Sequence, residues 1–351
     1  MVFNYKIKNC FVVLFLLFHI VVKAQVAGKG TYAFLNMFPS ARSLSLGTNF
    51  ISAIDKDLSV GYQNPAALNE KMHNHAFASY NNYVADINSG FFGYARHYKK
   101  LGTFSANIFY LDYGKFEGYL PNGLATGTFT VKDQCFQVSY GNAYKEKLRY
   151  GANLKYVYSI YEAYVSNGIA TDLSAIYTDT AKQLNITAFA RNIGFQAIPY
   201  GNTGRQPLAF EMAIAFSKKL KYLPFRYNLV LNNLQKPDMR YEISNTKEKD
   251  ENGNLKVKKM TLGDNVLRHL ALGGEFNLSK HFVVRFGYNH QRRKEISPEQ
   301  KRGTTGFSWG LGFRISKLNI SYGSASLFPG FNSNQFSILC NLGEFYNSKR
   351  K

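Results

Sequence analysis

From residue 75 to residue 346 the chain is dominated by short segments in which apolar and polar residues alternate with a period of two. In Gly306–Ile315, for example, every second residue from Phe307 onward is apolar, and the residues between them are small or polar. Such alternation is typical of β-strands with one apolar and one polar face. We predict fourteen strands, at 75–83, 88–98, 102–113, 133–143, 148–161, 166–178, 183–193, 206–217, 224–234, 266–278, 281–291, 304–316, 318–326 and 334–345.

The connections between these strands alternate in length. Tight turns follow the even-numbered strands, whereas long loops at 114–132, 194–205, 235–265 and 292–303 follow odd-numbered ones. Tight turns at one rim and long loops at the other are typical of bacterial outer-membrane barrels, which have an even number of strands. In lipid such a sheet must close, because no water is present to hydrogen-bond the backbone N–H and C=O groups of its edge strands. The sequence therefore predicts an all-β, 14-stranded antiparallel transmembrane β-barrel over 75–346; a soluble all-β domain would not need this asymmetry.

The composition excludes several other classes. With 45% hydrophobic and 16% aromatic residues the 351-residue chain is too apolar for intrinsic disorder, and three cysteines are too few for a disulfide scaffold. Residues 1–24 have the pattern of a secretory signal peptide, in which Lys6 and Lys8 precede an apolar run too short to span a bilayer. We therefore expect export. Cys135 and Cys340 could pair afterwards, or serve as two small apolar residues.

Residues 25–74 have no clear strand period. Irregular backbone is costly in lipid, so we predict a plug or hatch that folds into the barrel; an extension on the periplasmic side is the alternative. The motif residues of this segment are Ser40, Ala41, Arg42, Leu46, Gly47, Asp55, Asp57, Asn64, Pro65 and Ala66. A basic tail at 347–351 follows the barrel.

These motifs resemble the N-terminal region of the FadL-like fourteen-strand outer-membrane barrels. Within that group, Ser-Ala-Arg at 40–42, Asp-Lys-Asp at 55–57 and Asn-Pro-Ala at 64–66 are similar to the PorV/PorQ branch of the type IX protein secretion system. Segments such as Tyr80–Ile87 and Tyr164–Asp172 look more like its PorQ members. The context before Asn64 matches the branch only in part, and beyond residue 180 the resemblance is mainly barrel pattern.

The resemblance implies an integral outer-membrane protein without catalytic activity. It implies a cell-surface attachment complex of PorU, PorV, PorQ and PorZ, which removes a signal domain from secreted proteins and joins them to lipopolysaccharide. The expected partners are outer-membrane lipid, lipopolysaccharide and a surface protein of PorZ type. The N-terminus and the tight turns are expected in the periplasm, and the long loops outside the cell.

Sequence motifs for chemistry are weak. His73 and His75 lack a nearby third metal ligand, and no nucleophile-elbow or phosphate-loop motif occurs. His97, His269 and His290 could serve a rim hydrolase, but a structural role is the simpler interpretation. We therefore expect no catalytic residue, cofactor or metal, and a protein that is not an enzyme.

The long loops are rich in positive charge, in a chain whose formal net charge is +21. Such loops attract the phosphates of lipopolysaccharide or an acidic partner, although they could also be merely solvated. The candidate contacts are Lys256, Lys258, Lys259, Arg292, Arg293, Lys294, Lys301 and Arg302. Nucleic acid is not expected as a partner of a surface barrel.

The residues leave three functions open. The protein could be an adaptor that anchors a surface protein, a FadL-type transporter of hydrophobic small molecules, or a PorV-like cargo shuttle. A transporter needs an apolar pocket that leads to a lateral opening, made where one strand bends inward. The expected inward residues Lys155, Glu275, Arg285, Asn289 and Arg314 are polar, which favours the adaptor.

Overall fold

The computed structural model describes residues 30–48, 50–239, 243–249, 255–258, 261–295 and 303–347. The predicted signal peptide, the first residues of the predicted plug and most of the basic tail lie outside these ranges. Among the described residues, no helix is both long and apolar enough to cross a membrane.

Fourteen strands form one closed antiparallel barrel, in which each strand pairs with its neighbours along the chain and the last strand pairs with the first. The predicted barrel is confirmed. Its strands are β1 (His75–Val84), β2 (Ile87–Tyr98), β3 (Gly102–Tyr119), β4 (Ala125–Tyr144), β5 (Leu148–Tyr161), β6 (Tyr164–Asp179), β7 (Leu184–Ile198), β8 (Glu211–Lys219), β9 (Phe225–Leu231), β12 (Leu270–Asn277), β13 (Phe282–Asn289), β14 (Phe307–Ile315), β15 (Leu318–Phe328) and β16 (Phe331–Asn341). A separate hairpin of β10 (Ile243–Lys249) and β11 (Leu255–Lys258) lies in the longest loop.

Apolar side chains cover the outside of the barrel, and small or polar ones face the lumen. On β14 the outward Trp309 is 50% exposed, whereas its neighbour Ser308 is 5% exposed. Because successive side chains of a strand point to opposite faces, the period-two pattern fixes this division. Cys135 is buried on the inward face of β4 and Cys340 belongs to the outward row of β16; both are free thiols.

The long-loop rim differs from the prediction. The expected loop 114–132 is largely strand: β3 and β4 continue outward and leave only residues 120–124 as a connection, with Phe116 and Phe129 stacked 5.5 Å apart. The expected strand 206–217 begins only at Glu211, because the residues before it turn inward. The connections between β5 and β6 and between β15 and β16 shorten to two residues each.

Three short helices replace predicted strand ends at the rims: α3 (Leu262–Arg268), α4 (His290–Glu295) and α5 (Gly343–Asn347). The hydroxyl of Thr261 accepts the backbone N–H of Asp264 and so caps α3. This cap stabilises a helical turn where the apolar pattern alone predicted a strand.

The N-terminal segment lies inside the barrel, as predicted for a plug. It contains the helices α1 (Ala41–Ser45) and α2 (Leu58–Gln63), with 3₁₀ turns at Ala33–Asn36, Pro65–Ala67 and Glu70–Met72. Most of its side chains are buried. It donates hydrogen bonds to wall residues far apart around the barrel, such as Ser337 on β16 and Ser174 on β6.

Candidate functional site

The backbone of the plug touches the barrel wall directly at glycine positions. A Cβ atom added to Gly151 on β5 would overlap the backbone of Pro65, and one added to Gly287 on β13 would overlap that of Leu46. Glycine in a strand often marks such close approach of another backbone. The plug therefore fits a wall that is shaped for it.

Helix α1 is held at both ends. Ser40 caps it in a reciprocal capping box with Ser43, and the backbone N–H of Ala41 donates to Ser337 at 2.8 Å. At its C-terminal end Gly47 takes a positive φ of 67°, and the carbonyl of Gly47 accepts from the Asn289 amide at 3.3 Å. The wall thus fixes the helix that carries Arg42.

Arg42 is the centre of a buried ion-pair cluster. Its guanidinium donates twice to the Glu275 carboxylate of β12, with both N–O distances 2.8 Å. It also pairs with Asp55 at 2.9 Å and Asp57 at 3.1 Å, both from the plug. Three of the predicted plug residues therefore meet, although they lie up to fifteen positions apart.

Two wall arginines complete this ion-pair cluster. Arg285 on β13 donates to Glu275 at 3.0 Å, and Arg226 on β9 lies 3.3 Å from Asp55. With Arg42 and Asp57, three cations face three carboxylates, so the cluster is electrically balanced. Buried charges are tolerated when they are paired in this way.

Asp55 and Arg42 stabilise each other's charged forms. Burial by itself would raise the pKa of the Asp55 carboxyl, but Arg42 and Arg226 bring it below its usual range. Burial would likewise lower the pKa of Arg42, yet Asp55, Glu275 and Asp57 raise it well above its usual value. Asp55 and Arg42 therefore stay ionised at neutral pH.

Sequence reasoning placed Glu275 and Arg285 on the inward face but missed Arg226. Arg226 lies two residues before the inward Asn228 on β9, so the period-two pattern alone places it on the inward face. What joins them to Arg42 is the docking of the plug, which no local pattern contains.

The Asn64-Pro65-Ala66 motif anchors the other half of the plug. The Asn64 amide donates to the carbonyl of Ile51 at 3.2 Å, within the plug. The backbone N–H of Ala66 donates to the Ser174 hydroxyl at 2.9 Å, and its carbonyl accepts from the Arg149 guanidinium at 3.0 Å. Asp57 caps α2 by accepting the N–H of Ser59. The motif thus makes structural contacts with β5 and β6.

A second buried ion pair lies in the wall beside the plug. Lys155 on β5 lies 2.7 Å from Asp172 on β6, and it also donates to Asn192 at 2.9 Å. The neighbouring Asn153 amide donates to Asp172 and to the backbone carbonyl of Tyr62 in the plug. The predicted inward Lys155 is therefore paired within the wall, and Asn153 links this pair to the plug.

The basic loop residues are divided between internal contacts and the surface. Arg292 stacks over the ring of Phe38 in the plug, with its guanidinium carbon 5.1 Å from the ring centre, and burial lowers its pKa to about 10. Arg293 donates to the carbonyls of Gly303 and Thr305, while Lys294 is exposed. Lys256 and Lys258 lie on β11, of which only the backbone is described. Lys259, Lys301 and Arg302 lie outside the described residues.

The histidines make structural contacts. Both ring nitrogens of His269 face backbone carbonyls, those of Asn232 and Pro237, and His97 meets the Thr103 hydroxyl at 2.9 Å. His290 lies 3.2 Å from the Asp264 carboxylate. Within the described ranges, no three His, Cys, Asp or Glu side chains lie close enough to hold a metal ion.

Two cavities lie at opposite ends of the plug and share no lining residue. One has a volume of about 410 Å³, contains the ion-pair cluster in its wall and opens among the tight turns. The other, of about 170 Å³, lies at the long-loop end between Phe38, Tyr83, Arg292 and Phe328. These two cavities do not form one apolar passage.

The wall is interrupted between β7 and β8. The two strands pair only from Leu184 to Arg191, so the half of β7 nearer the long loops is paired on its β6 side alone. The chain before β8 bends inward, and the N–H of Thr31 donates to the carbonyl of Pro207 at 2.9 Å. Here the residues before β8 contact β7 through the side chains of Asn192 and Gln196 instead of through a strand ladder.

A closed fourteen-stranded barrel with an N-terminal segment in its lumen is the fold of the FadL-like outer-membrane proteins. A FadL homologue of Pseudomonas aeruginosa is similar with a TM-score of 0.50 at 8% identity, over 86% of this chain and 98% of that one. The toluene transporter TodX of P. putida is similar with a TM-score of 0.56 at 10% identity, over 88% and 99%. No protein-family model and no curated protein sequence matches the chain. The likeness establishes the fold, which supports an outer-membrane location.

Proposed function

We propose that this protein is a non-enzymatic outer-membrane adaptor that holds a surface protein at the membrane. The observation that carries this proposal is the plug: an ion-paired N-terminal segment fits the wall at its glycines, and the two cavities described at its ends share no lining residue. Such a barrel serves better as a fixed platform than as a conduit. In this proposal the tight turns face the periplasm and the long loops face outward.

The motif resemblance suggests which system the adaptor serves. We propose a PorQ-like component of the type IX secretion system, which anchors a PorZ-type surface protein in the attachment complex with PorU and PorV. The β10–β11 hairpin lies in the longest and Lys-rich loop, and neither of its outer edges pairs with another described strand, so it offers a partner surface. Lys294 and the loop lysines would add electrostatic attraction to lipopolysaccharide.

A pull-down from detergent-solubilised outer membranes, followed by mass spectrometry, tests the adaptor. The proposal expects one surface protein of PorZ type, lost when residues 243–258 are replaced by a short Gly-Ser linker. The matched control replaces 199–205, another connection at the same rim, and should retain the partner. Recovery of many cargo proteins would instead indicate a shuttle.

A transporter of hydrophobic molecules is the second candidate, and the interrupted wall between β7 and β8 favours it. An inward bend of the chain beside an interrupted strand ladder is the geometry from which a lateral exit could form, and the fold neighbours include a toluene transporter. If the purified barrel carries bound hydrocarbon and no protein partner, transport replaces the adaptor proposal.

A further inference from the structure

The cavity of about 410 Å³ at the tight-turn end has a strongly basic rim. Lys219 lies at the end of β8, Lys280 before β13 and Arg314 near the end of β14, while Lys56 comes from the plug. None of these four side chains forms an ion pair with a described residue, and all four are exposed. Four elements thus direct unpaired positive charge at one opening.

The carboxylates of the cavity wall do not neutralise this rim. Asp55, Asp57 and Glu275 are occupied by the three arginines of the ion-pair cluster. Among the described lining residues, Glu344 is the one further acid, and Lys317 donates to its backbone carbonyl at 2.7 Å. The opening therefore carries a net positive charge, which would attract an anionic ligand.

These cations differ from the lysines that commonly flank a membrane. Lys219 and Arg314 continue the inward rows of their strands, after the buried Ser217 and Gly312. Lys99 and Lys100, in another tight turn of the same end, are exposed but do not line the cavity. The basic rim is therefore a property of the lumen opening.

The lining also provides apolar and amide surface. Phe77 and Leu339 are buried on the inward faces of β1 and β16, and the Asn277, Asn319 and Asn341 amides surround the opening. Its volume lies within the ~300–1,000 Å³ typical of ligand sites. An inorganic anion would use only the charges, whereas a polypeptide can place carboxylates, backbone amides and apolar side chains together.

We propose that the tight-turn opening binds an acidic polypeptide segment of another protein, with its carboxylates on the basic rim and an apolar side chain toward Phe77 and Leu339. This site lies at the opposite end of the barrel from the surface of the proposed adaptor. Its test is therefore independent of whether a partner is found at the long loops.

Fluorescence anisotropy with the purified mature chain in neutral detergent tests this proposal. The probe is a fluorescent hexapeptide that alternates Glu and Leu, and its control alternates Gln and Leu. The charge-reversed variant Lys219→Glu/Lys280→Glu is compared with Lys99→Glu/Lys100→Glu, which makes the same change in net charge outside the cavity. Trp309 fluorescence verifies that each barrel is folded. If Lys219→Glu/Lys280→Glu does not fold, Lys219→Gln/Lys280→Gln takes its place.

We expect the Glu peptide to bind. Its affinity should fall at least tenfold in the cavity variant and at high salt, and should stay the same in the control variant. Equal binding of the Gln peptide, or equal loss in both variants, would overturn the proposal. Displacement by glycerol 3-phosphate at equal concentration would also overturn it, because the opening would then recognise a lipid headgroup or free phosphate. Absence of any binding of the Glu peptide would likewise overturn the proposal.

Discussion

Removal of Arg42 should loosen the plug while the barrel stays closed. In Arg42→Met, three carboxylates would face only Arg226 and Arg285. Breaking a buried ion pair by removing one partner typically costs about 3–5 kcal/mol. Because those two arginines compensate in part, we expect the lower end, about 3 kcal/mol. At 1.4 kcal/mol per factor of ten, the open population of the plug should rise roughly a hundredfold.

Thiol labelling measures this population. Ala67 in the plug is fully buried, so an Ala67→Cys reporter reacts with a water-soluble maleimide only when the plug opens. The native thiols are removed by Cys135→Ala and Cys340→Ser. Trp309, the one tryptophan of the chain, faces outward on β14 and reports separately on the barrel. We expect faster labelling with unchanged Trp309 fluorescence.

A double variant tests whether the loss of charge balance is what opens the plug in Arg42→Met. Arg42→Met combined with Glu275→Gln leaves two cations facing two carboxylates, so the cluster is balanced again. Its labelling should be slower than that of Arg42→Met alone, and the two substitutions should be non-additive. Arg42→Lys keeps the charge but loses the bidentate contact, so an intermediate rate is expected. If the double variant labels as fast as additivity requires, the ion-pair argument is refuted.

Three further outcomes follow from the same contacts. The pKa of Asp55 is lower in the folded protein than in the unfolded chain, so its stabilising effect is complete above the unfolded-state pKa of about 3.9 and is lost as the pH falls through the folded value. Pepsin should therefore cut the plug only below about pH 4. Cutting at pH 5 would contradict this. Gly151→Ala should displace the plug and cost about 1–3 kcal/mol in urea titrations, whereas Gly204→Ala, which has no neighbour within 4 Å, should not; equal effects would be inconsistent with close packing. A lipophilic maleimide should label the outward Cys340 but not the buried Cys135, and a disulfide-dependent gel shift of the mature chain would show the thiol assignment to be wrong.

The barrel could be predicted because its pattern is local. Alternation along each strand reflects the pleat, so the number of strands and the inward faces of Glu275 and Arg285 follow without knowledge of strand pairing. The prediction failed where another local signal dominated, as at α3, where the Thr261 cap favours a helix. It also failed at 114–132, because glycines at 114, 118, 123 and 127 weaken the strand pattern.

The candidate site was predictable only in part. The sequence identified Arg42, Asp55 and Asp57 as a motif, but the contact between Arg42 and Glu275 joins residues 233 positions apart. Such contacts depend on how the plug docks and on the register of every strand between them. The basic opening was missed for the same reason: Arg314 was expected to face inward, but Lys56, Lys219 and Lys280 come from the plug and from separate turns, and only the closed barrel brings them together.

The fit between the plug and the glycines of the wall constrains how the molecule is assembled. The plug comes before every strand, yet Ala41 and Leu46 pack against β15 and β13, which come near the end of the chain. These contacts cannot form before β13, β14, β15 and β16 have been paired. The N-terminal segment, although made first, can therefore reach its final position only late in folding. Folding should consequently be slow, since its decisive contacts join the two ends of the sequence.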